Sequence, residues 1–485
     1  MKILMSLIFY PRGGSAQVAR YLSRALLELG HEVRLITGTL LDGDPQHDAS
    51  VFYGELPLTS VDYTDAWRGF ERGEDPFSDK WSAPFHPSYE DKSGVPDRVF
   101  YKLTEAEYTV LLRCWTGVFE GVRERFQPDL LHLHHLTHAH AAAAQLFPKV
   151  PKLTQLHGTE IKMLERLDDP SDDLRDNPSR ESGFSDRLDH VGRGVLTDAV
   201  DVTNHFAAIS PDVRARAIAR LAISEEDITT IPNGVDTSLF QPLAWSADEK
   251  WSFLQKILVE EPQGWDEGGV PGDVRYDRSD TERLKEESGE LRPLALFVGR
   301  FLDFKRVPLL LRAVSRVNQA LNGSDDPPFN LLVWGGMPGE WEGEHPHTVA
   351  RSLNLANVFF CGWLPHDVLS QGLNLADVFV APSHNEPFGQ VYIEAMAVGV
   401  PVIATRSGGP LDFVVDTGPS ANGWLCEVDD LESLAATLHH AVTNEMERKH
   451  RGANALALVR GEYDWGEIAR RYTELYRDVG TVNLG

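Results

Sequence analysis

The first forty residues constrain the fold more than any other stretch. Ile3 to Phe9 is an apolar run of buried-strand length. Gly13 and Gly14 supply a turn, and Ser15 can cap a helix. Val18, Leu22, Ala25, Leu26 and Leu29 then recur at helical spacing, and Gly30 stands where such a helix would end. His31 to Thr37 reads as the next strand. Strand, crossover helix and strand make a βαβ unit, which imposes a parallel sheet with right-handed connections. The theme returns in the second half. Leu294 to Val298, Asn330 to Trp334, Val378 to Ala381 and Pro401 to Ala404 read as strands, with a helix over Val307 to Ala320.

A chain of 485 residues exceeds what one core usually organises, so two α/β domains are expected. Its apolar fraction of 42% is that of an ordinary globular protein. A formal charge of −27 would repel a nucleic-acid backbone and disfavour an anionic membrane surface. Cys114, Cys361 and Cys426 are too scattered for a disulfide framework or a zinc knuckle. The apolar opening is too short for a signal peptide, and no apolar run is long enough to span a bilayer. A cytoplasmic protein without a transmembrane segment is expected. Leu41 to Pro96, Asp168 to Asp189 and Gln241 to Arg292 read as polar, acidic insertions. The tryptophans of the last, Trp245, Trp251 and Trp265, imply that part of it packs on something.

The chemistry concentrates in the string from Glu386 to Pro401. Pro387 suits the first position of a helix, Gly399 its end, and Pro401 blocks continuation. Glu386 is then expected at the mouth of a helix N-terminus on a strand's carboxyl end, which is a ready anion site. Glu394 lies two turns further in, roughly 12 Å along at ~1.5 Å per residue. A nucleotide diphosphate fits such a place, with one carboxylate for sugar hydroxyls and the other for ribose hydroxyls. A glycosidase pair would stand closer, about 5 to 9.5 Å apart. Arg300 and Lys305 follow a buried strand, five residues apart, and two cations there can hold phosphate.

The string resembles the E-x7-E signature of the retaining GT-B glycosyltransferases in the glycogen-synthase-like family, family four. Gly13-Gly14 is similar to that family's glycine loop, His157-Gly158 to its inter-domain histidine, and Gly299-Arg300 with Lys305 to its phosphate clamp. Ile231 to Asp236 with Phe240, Ser407 to Pro410, Asn422-Gly423 and the closing segment Tyr463 to Val479 resemble further landmarks. Arg306 stands where the family often has glycine, and Leu411-Asp412 replaces a common Pro-Glu or Ala-Glu.

The resemblance implies an α/β GT-B fold, two Rossmann-like domains with a cleft between them. Residues 1–240, completed by a C-terminal helix in 463–485 that crosses back, would take the acceptor. An acidic linker or insertion would occupy 241–292, and 293–462 would bind the nucleotide sugar. Arg300, Lys305, Glu386 and His157 would be catalytic. Gly13, Gly14, Phe388, Gly389 and Glu394 would bind donor. A hexose-type sugar would pass with retention to a hydroxyl of a small-molecule, glycan or lipid-linked acceptor. The leaving diphosphate would be stabilised by Arg300 and Lys305. No cofactor is expected, the nucleotide sugar being a substrate.

No metal is expected either. His132, His134, His135, His138 and His140 invite one, but strand alternation puts His132 and His134 on one face and His135 on the other. Gly335-Gly336-Met-Pro-Gly339 reads as a plain turn. A nucleotide-sugar epimerase or a non-catalytic sugar-nucleotide-binding protein on the same fold is the alternative. A phosphorylase would need a pyridoxal lysine, for which there is no signal.

Overall fold

The computed structural model describes residues 1–89, 95–168, 194–321 and 328–482. The chain folds into two compact units. One comprises Met1–Gly234 with Trp465–Gly485, and the other Val235–Asp464.

The first unit is built on seven strands: β1 (Lys2–Leu7), β2 (Glu32–Thr39), β3 (Leu58–Asp62), β4 (Leu130–His134), β5 (Lys152–Leu156), β6 (His205–Ala208) and β7 (Ile228–Thr230). They lie in the order β3-β2-β1-β4-β5-β6-β7, every pair parallel. Met5 stands between Leu35 and His132 across the ladder. β4 and β5 are wholly buried, as central parallel strands covered on both faces are, and they bury His132, His134, Lys152, Thr154 and Gln155 along with their leucines. The order reverses between β1 and β4. Strand carboxyl ends at such a reversal open a ligand crevice.

The helix Gly13–Glu28 begins earlier than a Ser15 cap requires. Arg12 is the extended residue before it and makes no side-chain cap, while Gly13, at φ 69°, turns the chain at once. Ser15 therefore sits inside the first turn. The expected apolar stripe is buried at Val18, Leu22, Ala25 and Leu26. Gly30, at φ 84°, ends the helix by donating its N–H to the Leu27 carbonyl. The C-terminal helix Trp465–Val482 packs beside this one, with the Trp465 ring stacked on Tyr21 at 6.2 Å.

Leu41 to Pro96 is not a simple insertion. It supplies strand β3 and buries Tyr63, Phe77 and Phe85, and the Tyr63 hydroxyl donates to the Ile8 carbonyl at 2.7 Å. Alternating polar residues in β3 had hidden an edge strand. The segment Asp168 to Asp189 lies outside the described residues, apart from the backbone of Asp168 at the end of the helix Thr159–Asp168.

The second unit repeats the plan with β8 (Leu294–Val298), β9 (Asn330–Trp334), β10 (Val358–Gly362), β11 (Val378–Ala381), β12 (Val402–Thr405) and β13 (Gly423–Cys426). The order is β10-β9-β8-β11-β12-β13, again all parallel, with its reversal between β8 and β11. Residues 241–292 belong to this unit rather than standing between two bodies. A capping box from Ser246 and Glu249 starts the helix Ala247–Gln255. Trp245 rests on Phe253, Lys285 covers Trp251, and Gln263 pairs with Gly362 at the end of β10. Among the described residues, no helix is long and apolar enough to cross a membrane.

Candidate active site

In the second unit, the reversal between β8 and β11 places two loops side by side. The first leaves β8 through Gly299 and Arg300 and closes as a single 3-10 turn, Asp303–Lys305. The second leaves β11 through Asn385 and Glu386. A backbone hydrogen bond from His384 to the Phe304 carbonyl, 2.6 Å, ties them together. Lys305 Nζ lies 2.5 Å from Glu386 Oε2, and both side chains are nearly buried at 14% and 12% exposure. A cation and a carboxylate 81 residues apart in the chain are thus brought into one pair. Arg300 is more exposed, at 40%, and its Nε lies 3.8 Å from Glu340 Oε2. At that exposure the attraction between the two is worth about 1 kcal/mol or less.

Arg306 explains a departure from the family pattern. Its backbone is left-handed, at φ 54° and ψ 35°, the conformation in which glycine is free of cost. The side chain offsets the strain. Its guanidinium reaches Asp429 at 2.6 and 3.2 Å and also bonds Asp303.

The Glu386 loop is shaped by glycines on a neighbouring turn. A Cβ on Gly408 would stand 2.4 Å from the Glu386 carbonyl oxygen, and one on Gly409 would stand 2.5 Å from the Phe388 Cα. Gly409 donates its N–H to the same Glu386 carbonyl at 2.7 Å. Only glycine permits this approach. The helix that follows, Gln390–Ala397, starts after Gly389, whose φ is 95°. Pro387 is therefore not its first residue, and Glu386 stands four residues before the helix rather than at its mouth. The left-handed Gly389 breaks the chain direction, so the rise along one straight helix does not apply from Glu386 onward. Phe388 is 3% exposed and packs edge-on against Phe413 at 5.6 Å, which commits its ring to the core rather than to a ligand. Glu394 is buried and accepts from or faces His366 Nε2 at 3.1 Å. His366 in turn packs edge-on against Phe240. Sequence reading missed His366. It lies 28 positions from its partner and in no motif.

The corresponding edge of the first unit is different in kind. Gly13 and Gly14 face open space, where an added Cβ would touch nothing. Beside them, Arg12 pairs with the buried Asp97 at 2.6 Å, which holds that carboxyl below its ordinary range against burial. His132 and His134 share a face, as alternation requires, their rings stacked 4.8 Å apart. His157 follows β5 and is 8% exposed. Its Nε2 lies 3.0 Å from His134 Nδ1, and its backbone N–H donates to the buried Glu160 at 3.0 Å. His135, with φ 63°, leaves the strand and faces the other oxygen of Glu160 at 3.3 Å. His132 Nδ1 meets the Tyr476 hydroxyl at 2.6 Å, and His140 Nε2 meets Thr154 at 3.0 Å. Burial pushes His132, His138 and His140 down to about 3 and His134 and His157 well below the ordinary value. His132, His134 and His157 thus spend ring nitrogens on Tyr476, Gln155 and one another. No group of three or more His, Cys, Asp or Glu among the described residues is arranged to hold a metal ion.

Two doubly wound parallel sheets, the second with ionic loops at its topological reversal, define a two-domain α/β enzyme of the GT-B type. Comparison with known proteins gives the family. Residues 77–239 match the family described as Glycosyltransferase Family 4, and residues 279–457 match Glycosyl transferases group 1. The chain belongs to this family of GT-B glycosyltransferases. It is 23% identical to the glycogen synthase of Mycobacterium tuberculosis over 485 residues, covering 98% of this chain and 94% of that one. Its fold is similar to that of sucrose-phosphate synthase from Thermosynechococcus elongatus, with TM-score 0.64, 20% identity and 99% of both chains covered. It is also similar to that of Anabaena HepE in complex with UDP and glucose, with TM-score 0.60, 16% identity, and 98% and 99% coverage. The chain is therefore a glycosyltransferase that uses a nucleotide sugar.

Proposed function

We propose that the chain transfers a hexose-type sugar to a hydroxyl acceptor with retention at the anomeric carbon, without a metal. The observation that carries this reading is the meeting of Lys305, Glu386 and the Gly299–Arg300 turn at the β8/β11 reversal. That is where a doubly wound sheet binds its ligand. The HepE complex, with UDP and glucose bound to the same fold, supports a nucleotide-sugar donor.

Lys305 is neutralised by Glu386. An arriving diphosphate competes for the ammonium and draws in Arg300. Glu386, released in part, can accept from sugar hydroxyls, while Glu394, held by His366, accepts from the ribose. The bond from the anomeric carbon to the phosphate oxygen breaks, and its electrons stay on the phosphate. The acceptor oxygen bonds to the same carbon from the same face, and its proton passes to the departing phosphate. Lys305 and Arg300 meet the charge as it grows, so their contribution rises toward the transition state.

The test is incubation with UDP-glucose, ADP-glucose or GDP-mannose and candidate hydroxyl acceptors in excess EDTA, with the product's anomeric configuration read by NMR. Retention and EDTA resistance are expected. An inverted product, or activity restored only by manganese or magnesium, would overturn the reading.

A further inference from the structure

Residues 263–265, from the acidic segment unmatched by the sequence motifs, end under the proposed phosphate clamp. Gln263 pairs with Gly362 at the end of β10, and the fit is tight enough that a Cβ on Gly362 would overlap the Gln263 carbonyl. Trp265 follows and is 2% exposed. Its ring stacks on Phe301 at 5.6 Å and 24°, and it also meets Trp341 at 5.9 Å and His345 at 4.6 Å. Its Nε1 donates to the Gly336 carbonyl at 3.2 Å.

Phe301 is the residue after Arg300. It is boxed in from the other side as well. A Cβ on Gly336 would stand 2.5 Å from the Phe301 ring, and one on Gly335 would stand 2.3 Å from the Gly299 carbonyl oxygen. Gly335-Gly336 is therefore a cradle for the clamp loop, beyond the plain turn read from sequence. Phe301 pairs with Trp341, and its carbonyl accepts the Glu342 N–H at 2.9 Å. Successive residues of an extended stretch point to opposite faces. With the Phe301 ring fixed inward on Trp265, Arg300 is directed away from the core. Lys305 is anchored through Glu386, and Arg300 Nε approaches Glu340 at 3.8 Å. The backbone that carries Arg300 is ordered by the packing of Phe301 on Trp265 and of Gly299 on Gly335.

We propose that Trp265 is a positioning residue for Arg300, so that the acidic segment is part of the donor site's scaffold. This rests on Arg300 being a clamp residue. The experiment separates the two ideas. The full chain and its variants are titrated with inorganic pyrophosphate in EDTA by calorimetry, which presents the diphosphate without a base or sugar. Arg300→Ala should weaken binding about tenfold, Trp265→Ala by a similar factor and Trp265→Phe by about threefold, since coupled neighbours share one free energy. In an Arg300→Ala background, neither Trp265 change should weaken binding further. If Trp265→Ala does not fold, the Phe variant decides. A folded Trp265→Phe that binds as tightly as the intact chain, or a Trp265 effect that multiplies in full with Arg300→Ala, overturns the positioning role alone. Unweakened binding by Arg300→Ala, or no pyrophosphate binding by the intact chain, overturns the clamp and the positioning with it.

Discussion

The two units solve the same architectural problem and then line the carboxyl edge of the sheet with different groups. The first buries a set of neutral imidazoles bonded to one another, to Tyr476 and to Gln155, with the Glu160 carboxylate and the Arg12–Asp97 pair beside them. The second keeps ions there, Lys305 against Glu386 and Arg306 against Asp429. Neutral rings stacked in a core have no charge for a ligand to take over. An ion pair with about an eighth of its surface exposed can exchange one partner for a phosphate. The same fold lines one edge mainly with buried neutral rings and the other with partly exposed ion pairs.

The largest effect expected from this contrast is on stability in acid. Burial holds His86, His132, His138 and His140 of the first unit neutral, at about 3. Their folded values lie below the unfolded one, so the unfolded chain binds more protons below about pH 6.5. Stability is therefore present above that pH and lost as pH falls, by about 1.4 kcal/mol per pH unit for each histidine that stays neutral. Thermal unfolding followed between pH 7.5 and 5 should show a transition that drops steeply with pH. A melting profile unchanged down to pH 5 would mean that the imidazoles are not neutral in the fold.

The next effect is on turnover. Lys305→Ala and Arg300→Ala should each lower kcat about 100- to 1,000-fold, the usual cost of one preorganised donor to a developing oxyanion. Lys305→Ala should also lower the melting temperature, because Glu386 is left without its cation. Lys305→Arg should not restore activity, since a planar fork does not replace a compact ammonium. Nearly normal turnover by both alanine variants would remove the clamp from the second unit.

A smaller effect is expected at the ribose end. His366→Ala leaves Glu394 without its partner. Donor KM should rise by about tenfold with kcat little changed, because one hydrogen bond to a charged group is worth roughly 1.5–3 kcal/mol and acts on binding alone. A fall in kcat at constant KM would move His366 into the reacting part of the site. The smallest effect is at Arg306. Arg306→Gly relieves a left-handed backbone but removes the bonds to Asp429 and Asp303. The two changes oppose each other, and chemical denaturation should show a difference within about 1 kcal/mol.

Much of this was legible in the chain. Strand limits such as Leu294–Val298, Asn330–Trp334 and Val378–Ala381 follow from short apolar runs bounded by glycine and polar residues. The E-x7-E spacing and the position of Arg300 and Lys305 after a strand named the candidate site before any contact was known. What failed were judgements that depended on one residue's backbone. Ser15 looked like a cap and Pro387 like a helix start, and both were overruled by a glycine nearby, Gly13 at φ 69° and Gly389 at φ 95°. β3 escaped notice because an edge strand alternates with polar residues and reads like loop.

By itself, then, the sequence determined the two parallel sheets, their turns and the identity of the charged residues at the strand ends. Periodicity and punctuation are local properties, and short stretches encode them. The tertiary structure alone decided the pairings: Lys305 with Glu386, Glu394 with His366, Trp265 under Phe301, and the histidines with one another. Each joins residues from separate loops or elements, and their distance depends on sheet order, on close approaches that only glycine allows, and on side-chain packing. None of these leaves a period or a spacing in the chain.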